Sequence, residues 1–164
     1  MIAEIDEYQL TECLQVLHRG YETVAVRFHL TNDNCPYRGR ADLPLAVLTE
    51  EFLSGIKMYG YRQENRIAAF VSMNIGREQI KPNDVVVLPE FRHRGIGTAL
   101  LNFSKSRAIG QNIPKVSLGM IDDNKMLRRW YERNGFVNIG YKKYPKAPFA
   151  VGYMEWKNPH FRES

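Results

Sequence analysis

The residues whose types and spacing could do chemistry gather in two segments. The first is Arg92-His93-Arg94-Gly95-Ile96-Gly97-Thr98. It follows the short apolar run Val85-Val86-Val87-Leu88 and opens a stretch in which Ile96, Ala99, Leu100 and Phe103 recur at helical spacing. A strand, a glycine-bearing turn and a helix start, in that order, bring free backbone N–H groups and a partial positive charge to one point. Glycine lets backbone approach an anion closely, and Arg92 and Arg94 add positive charge beside those donors. Such a place suits a phosphate or pyrophosphate. The second segment carries Asn124 and Tyr131, two helical turns apart and so on one helix face. The phenol there could serve as a general acid or fill the core beside Trp130. The asparagine could touch a ligand or cap the helix.

Commoner site chemistries fit less well. A P-loop needs Gly-Lys-Ser/Thr at the helix start, and here Gly97 is followed by Thr98-Ala99. The dinucleotide fingerprint needs a third glycine where Leu100 stands. His18, His29, His93 and His160 have no ligand spacing with one another or with Cys13 and Cys35, so no metal is expected. A Gly-x-Ser-x-Gly elbow is absent.

The elements that must position these segments can be read from periodicity. Residues 7–30 are helical in pattern, with Gly20 a point where two helices could part. Thr31–Gly39 reads as a loop. Thr49 is placed to cap a short helix reaching about Gly55. Strands over Lys57–Arg62 and Arg66–Asn74 flank the polar connection Gln63-Glu64-Asn65, as in a hairpin. Pro82 should interrupt the chain, so the next strand is expected over Asp84–Leu88. A strand over Lys115–Ile121 follows, then a helix capped by Asp122 or Asp123 and closed at Gly135. The last strands are Phe136–Tyr141 and Val151–Trp156. The sum is a mixed α/β domain, one domain over 1–164, with hairpin strands first and strand–helix–strand–helix afterwards.

Arg92, Gly95 and Gly97 match Gln/Arg-x-x-Gly-x-Gly/Ala, and the loop resembles motif A of the GNAT N-acetyltransferase superfamily. Asn124, Tyr131 and Gly135-Phe136 resemble its second signature. The match is close over Val85–Phe136. It implies a mostly antiparallel sheet of six to seven strands with a splayed parallel pair, flanked by helices. It implies acetyl-CoA as the acyl donor: its pyrophosphate on the amides from Arg92 through His93, Arg94, Gly95 and Ile96 to Gly97, with Thr98 at the helix start, and its pantetheine arm against Val85, Val86 and Val87. Asn124 then contacts that arm, and Tyr131 protonates the departing thiolate. Many relatives place a glutamate base on the strand before the loop, where this chain has Asn83. Asp84 is adjacent but alternates to the other face. Proton removal through ordered water at Asn83 is therefore expected, with Glu64 or Glu78 as weaker candidates. The acceptor, a small-molecule or peptide amine, is expected between residues 21–35 and 141–153.

Bulk composition narrows the setting. The net charge of +5 concentrates anions, whether through a generally basic surface, a phosphate-rich ligand or a nucleic acid. No apolar run approaches the ~20 residues of a membrane span, and the early acids Glu4 and Asp6 do not suit a signal peptide. A cytoplasmic protein with two reduced cysteines is expected. Exposed sheet edges would allow a homodimer. Two other readings compete. One is a CoA-binding sensor without catalysis, which Asn83 would favour. The other is a nucleic-acid module using Arg92, Arg94, Arg107, Arg128, Arg129 and Arg133, although no RNP-like or zinc-finger pattern accompanies these arginines and no nucleic-acid partner is expected.

Overall fold

The computed structural model describes residues 1–163. Eleven principal elements follow in chain order: β1 (Ile2–Glu4), α1 (Leu10–Arg27), α2 (Leu45–Leu53), β2 (Lys57–Gln63), β3 (Arg66–Ile75), β4 (Ile80–Val87), α3 (Ile96–Gly110), β5 (Lys115–Ile121), α4 (Lys125–Arg133), β6 (Val137–Lys143) and β7 (Ala150–Lys157). The strands form one ladder in the order β1-β2-β3-β4-β5-β7-β6. The β4–β5 pair is parallel and meets at Ile80 and Val116, while β1–β2, β2–β3, β5–β7 and β6–β7 are antiparallel. The mixed sheet flanked by helices agrees with the expected fold class.

The chain groups into two compact units, Met1–Met73 with Asp84–Leu100, and Asn74–Asn83 with the described residues from Leu101 onward. The first holds α1, α2, β2 and most of β3. Its core includes Leu17, Leu48, Met58, Ile67, Phe70 and Phe91, all under 2% exposed. β3 is buried on both faces from Ile67 to Met73, which explains its run of small and apolar residues. The β2–β3 connection is a two-residue turn. Glu64 and Asn65 both take positive φ, 52° and 61°, the backbone twist that suits a tight hairpin. The second unit packs β5 and β7 in full antiparallel register from Lys115↔Lys157 to Ile121↔Val151. β6 lies at the edge and is exposed along nearly its whole length.

Four sequence expectations change. Gly20 does not divide a helix. α1 runs unbroken from Leu10 to Arg27, and a Cβ at Gly20 would lie 1.9 Å from Val86 Cγ1, so the glycine lets helix and strand approach. Thr49 is not a cap, because α2 starts after Pro44; Thr49 lies inside and its hydroxyl donates to Leu45 O at 2.8 Å. Pro82 does not delay a strand, because β4 spans Ile80–Val87. The ring fixes φ within reach of extended backbone and removes one N–H, so the strand loses a donor without ending. The cap of α4 is Asn124, whose Oδ1 accepts from Leu127 N–H at 3.2 Å. Asp122 instead binds Arg128 through its carboxylate and its carbonyl.

The α1–α2 connection has an unusual backbone. Tyr37, Arg38, Gly39 and Arg40 all take left-handed φ values of 53°, 50°, 65° and 79°. For each non-glycine residue that costs roughly 1–2 kcal/mol, so the turn needs ties from outside itself. Cys13 and Cys35 are free thiols. Burial pushes the Cys13 thiol up to about 12, which makes it an inert core group.

Candidate active site

The segment between β4 and α3 is built from conformation more than from side chains. Pro89–Phe91 forms one tight turn that buries Phe91 at 1% exposure. Arg92 is extended, with φ −70° and ψ 159°. His93 then turns left-handed at φ 64°, and Gly95 does so at φ 81°. Alternating hand along successive residues turns their N–H groups toward one side and makes an anion-binding concavity. α3 begins immediately afterwards at Ile96, adding its unpaired N-terminal donors. His93, Arg94 and Gly95 are exposed, and a Cβ built on Gly95 meets nothing within 4 Å. The cradle is open on its ligand side, and these residues fit a pyrophosphate.

Arg92 has a different part from the one its charge suggests. Its Nε donates to Val87 O at 3.1 Å, and its Nη2 donates to Gly20 O at 3.1 Å. Nη1 donates to Thr23 Oγ1 at 3.3 Å. Burial lowers its pKa. The guanidinium tethers the loop to α1 and β4, while the backbone of Arg92 stays in the cradle. Arg94 lies over the Phe91 ring at 5.1 Å, and Arg66 lies over the same ring at 4.7 Å. Glu90 joins this basic cluster. Arg19 binds it with two bonds of 2.9 Å and Arg66 binds it at 3.2 Å. Those guanidinium groups, Arg19 first, hold the Glu90 carboxyl at about 2.

On β4 the side chains alternate as expected. Asp84 and Val86 are buried, Asn83 is exposed, and Val85 and Val87 are half-buried. Asp84 is the centre of a buried polar network that sequence reading missed. Tyr21 Oη donates to Oδ1 at 2.7 Å and Ser72 Oγ donates to Oδ2 at 2.6 Å. Arg40 Nη2 donates to Oδ2 at 3.0 Å, and Arg40 Nε lies 2.8 Å from Oδ1. Arg40 also holds Glu51 through two bonds of 3.0 and 2.8 Å. The available signal was a lone carboxylate inside a valine-rich strand, which requires a buried cation. Beside α1 lies an open groove of about 670 Å³, lined by His18, Arg19, Thr23, Val26, Ala41 and Pro89 among others.

In the second unit, Asn124 and Tyr131 share α4. Asn124 is buried at 7% exposure and caps the helix. Tyr131 is buried at 6% exposure, its ring 5.0 Å from Trp130 and 5.6 Å from Phe136. Burial raises its phenol pKa above the ordinary value. The helix end beside it is a closed motif. Phe136 N–H donates to Tyr131 O, and Gly135 N–H donates to Glu132 O, each at 3.0 Å, with Gly135 left-handed at φ 85°. This is the Schellman pattern, and its usual apolar contact is the Tyr131–Phe136 ring pair. Lys105 completes the end by donating to Asn134 O. Its ammonium lies 5.5 Å from both the Phe136 and Trp156 rings. Glu64 and Glu78, the weaker base candidates, are exposed in turns.

An acetyltransferase (GNAT) domain model matches residues 54–138, over half of the chain. The chain belongs to the GNAT acetyltransferase family. The solved structures similar to this GNAT domain include the ribosomal-protein-S18-alanine N-acetyltransferase from Escherichia coli, with TM-score 0.77, 13% identity, and coverage of 100% of this chain and 96% of that one. They include the paia N-acetyltransferase from Thermoplasma acidophilum in complex with coenzyme A, with TM-score 0.74, 16% identity, and coverage of 96% and 98%. A GNAT family acetyltransferase from Elizabethkingia anophelis with acetyl-CoA bound matches with TM-score 0.60, 17% identity, and coverage of 68% and 82%. At these identities the likeness is one of fold.

Proposed function

We propose that this GNAT domain transfers an acetyl group from acetyl-CoA to a primary amine by direct attack. The observation that carries this reading is the left-handed cradle at His93 and Gly95 at the start of α3, in a domain whose family members are acetyltransferases. Bound acetyl-CoA supplies an activated thioester. The backbone amides of Arg92–Gly97 hold its pyrophosphate, and Thr98 lies in the first turn of α3. The backbone of Val85–Val87 pairs with the pantetheine arm. The Asn124 side chain holds the start of α4 in the shape that presents Tyr131.

In the transfer, the amine nitrogen forms a bond to the acyl carbon and the carbon–sulfur bond breaks. Tyr131 Oη gives its proton to the departing thiolate, whose ordinary pKa is roughly 8.5. A phenol whose pKa burial raises stays protonated at neutral pH, as an acid must. The amine's own proton leaves through ordered water at Asn83, because an amide cannot accept it. The neutral Asn83 also favours a second reading, a CoA-binding sensor without turnover. The acceptor is a small-molecule or peptide amine, the setting cytoplasmic, and a homodimer would use the β6 edge, where Val137, Ile139 and Tyr141 are exposed.

The test is thiol release from acetyl-CoA across an amine panel, beside calorimetric binding of acetyl-CoA. Thiol release that requires one amine class supports the transferase. Tight acetyl-CoA binding without release from any amine supports the sensor. No binding at all sinks both.

A further inference from the structure

We propose that Arg40 is a positioning residue for the acceptor: by clamping onto Asp84 it locks residues 37–40 into the left-handed turn that shapes the α1 groove. The inference rests on the transferase reading and on the acceptor region expected at residues 21–35, which ends just before this turn. Tyr37, Arg38, Gly39 and Arg40 are consecutive and left-handed, and three of them carry the Cβ that disfavours this hand. The turn closes on itself through Asp42 N–H to Tyr37 O at 2.9 Å. Further local bonds, among them Arg38 N–H to Cys35 O at 2.9 Å and Gly39 N–H to Pro36 O at 3.1 Å, help to close it, and ties from outside the turn fix it in place.

The outer tie is Arg38, which reaches Glu22 at 2.8 and 3.1 Å and Asp42 at 3.3 Å. Both acids are exposed, and exposed pairs hold little. The inner tie is Arg40. Its partner Asp84 has a fully buried side chain, and a buried carboxylate demands its cation. Arg40 is that cation, at 2.8 and 3.0 Å. Tyr21 and Ser72 hold the carboxylate in place from α1 and β3, and Glu51 steers the guanidinium from α2.

Two features make this clamp part of acceptor binding as well as of folding. The next residue, Ala41, lines the groove together with Pro89, where the pyrophosphate segment begins. Asp84 sits on β4 directly before Val85–Val87, the strand that the transferase reading gives to the cofactor arm. One ion pair therefore sets the spacing between the acceptor loop and the cofactor strand.

The experiment compares wild type, Arg40→Met, Arg40→Lys and Glu51→Gln in the full chain. It measures KM for the best amine of the panel, KM for acetyl-CoA, and the rate of tryptic cleavage after Arg38. Arg40→Met should raise the amine KM by ~10-fold or more with acetyl-CoA KM within ~2-fold, as small misplacements of one substrate do. It should also speed cleavage after Arg38. Arg40→Lys should recover only part of each effect, because an ammonium lacks the planar fork. Glu51→Gln, which leaves the Asp84 pair intact, should fall between wild type and Arg40→Met and serves if that variant does not fold. Unchanged amine KM and unchanged cleavage would overturn the inference, as would equal rises in both KM values. A wild type that turns over no amine overturns the acceptor part together with the transferase reading, and cleavage after Arg38 still decides the clamp.

Discussion

In the segment from Arg92 to Gly97, the groups offered to an anion are backbone N–H donors, and the side chains mostly face elsewhere: Arg92 onto the carbonyls of Gly20 and Val87, Arg94 onto the Phe91 ring. α4 is built the other way. In the proposed function one phenol carries its chemistry, and the surrounding backbone runs from the Asn124 cap to the Gly135 turn. A site made of backbone depends on which residues can adopt its φ values. A site made of one side chain depends on that atom and on the packing that buries it. The two segments should therefore fail differently when mutated.

The largest effect should come from Tyr131→Phe. Removing a general acid costs roughly 10²-fold or more in kcat, while calorimetry should show acetyl-CoA affinity little changed. The same phenol sets a pH dependence. Its folded pKa is raised above the ordinary 10.0, so kcat should show no alkaline limb from this group at or below pH 10. Its contribution to stability is complete below 10 and declines above it, as the unfolded chain ionises first. A kcat limb near pH 8 that vanishes in Tyr131→Phe would contradict the buried acid.

Next is Gly135→Ala. A left-handed φ of 85° costs a Cβ-bearing residue roughly 1–2 kcal/mol, read as a lower denaturant midpoint. Because the same turn seats Tyr131, kcat should fall as well, though less than in Tyr131→Phe. Gly95→Ala should be similar in stability and opposite in kinetics. The strain is similar at φ 81°, but a Cβ there meets open space, so the acetyl-CoA KM should rise several-fold while kcat holds. Equal kcat losses in both glycine variants would erase the distinction between the two segments. The smallest effect should be Glu90→Gln. Glu90 is held at about 2 first by Arg19 and next by a backbone hydrogen bond, with Arg66 a smaller influence, below its ordinary 4.5. Its contribution is present above 4.5 and lost as pH falls toward 2. The difference in Tm between wild type and Glu90→Gln should be slight at pH 7 and close across that window.

Much of this was legible in the chain itself, for reasons that differ by element. β5 falls at Lys115–Ile121 as read, because apolar alternation after a proline is a local signal. Gly135 was legible as a helix stop, since only the glycine's own φ is at stake. Gly20 was not: its reason is Val86, distant in sequence, and a glycine that permits contact reads like one that breaks a helix. Thr49-Glu50-Glu51 imitates a helix start, but α2 begins after Pro44 and buries Leu48 in its first turns. Alternation placed Asp84 on the correct face. Its partners Tyr21, Arg40 and Ser72 are scattered over three elements, and no spacing rule joins them.

The close approach at Gly20 also bears on how this protein could be altered. One carbon added there would lie 1.9 Å from Val86 Cγ1, where ordinary contact begins at 3.4 Å. No side-chain rotation at position 20 relieves such an overlap, because the offending atom is the Cβ itself. The spacing of α1 from β4 is thus a step function of a single codon. A random library of this helix would divide sharply at residue 20 in favour of glycine, and a second library that also trims Val86 would relax that division.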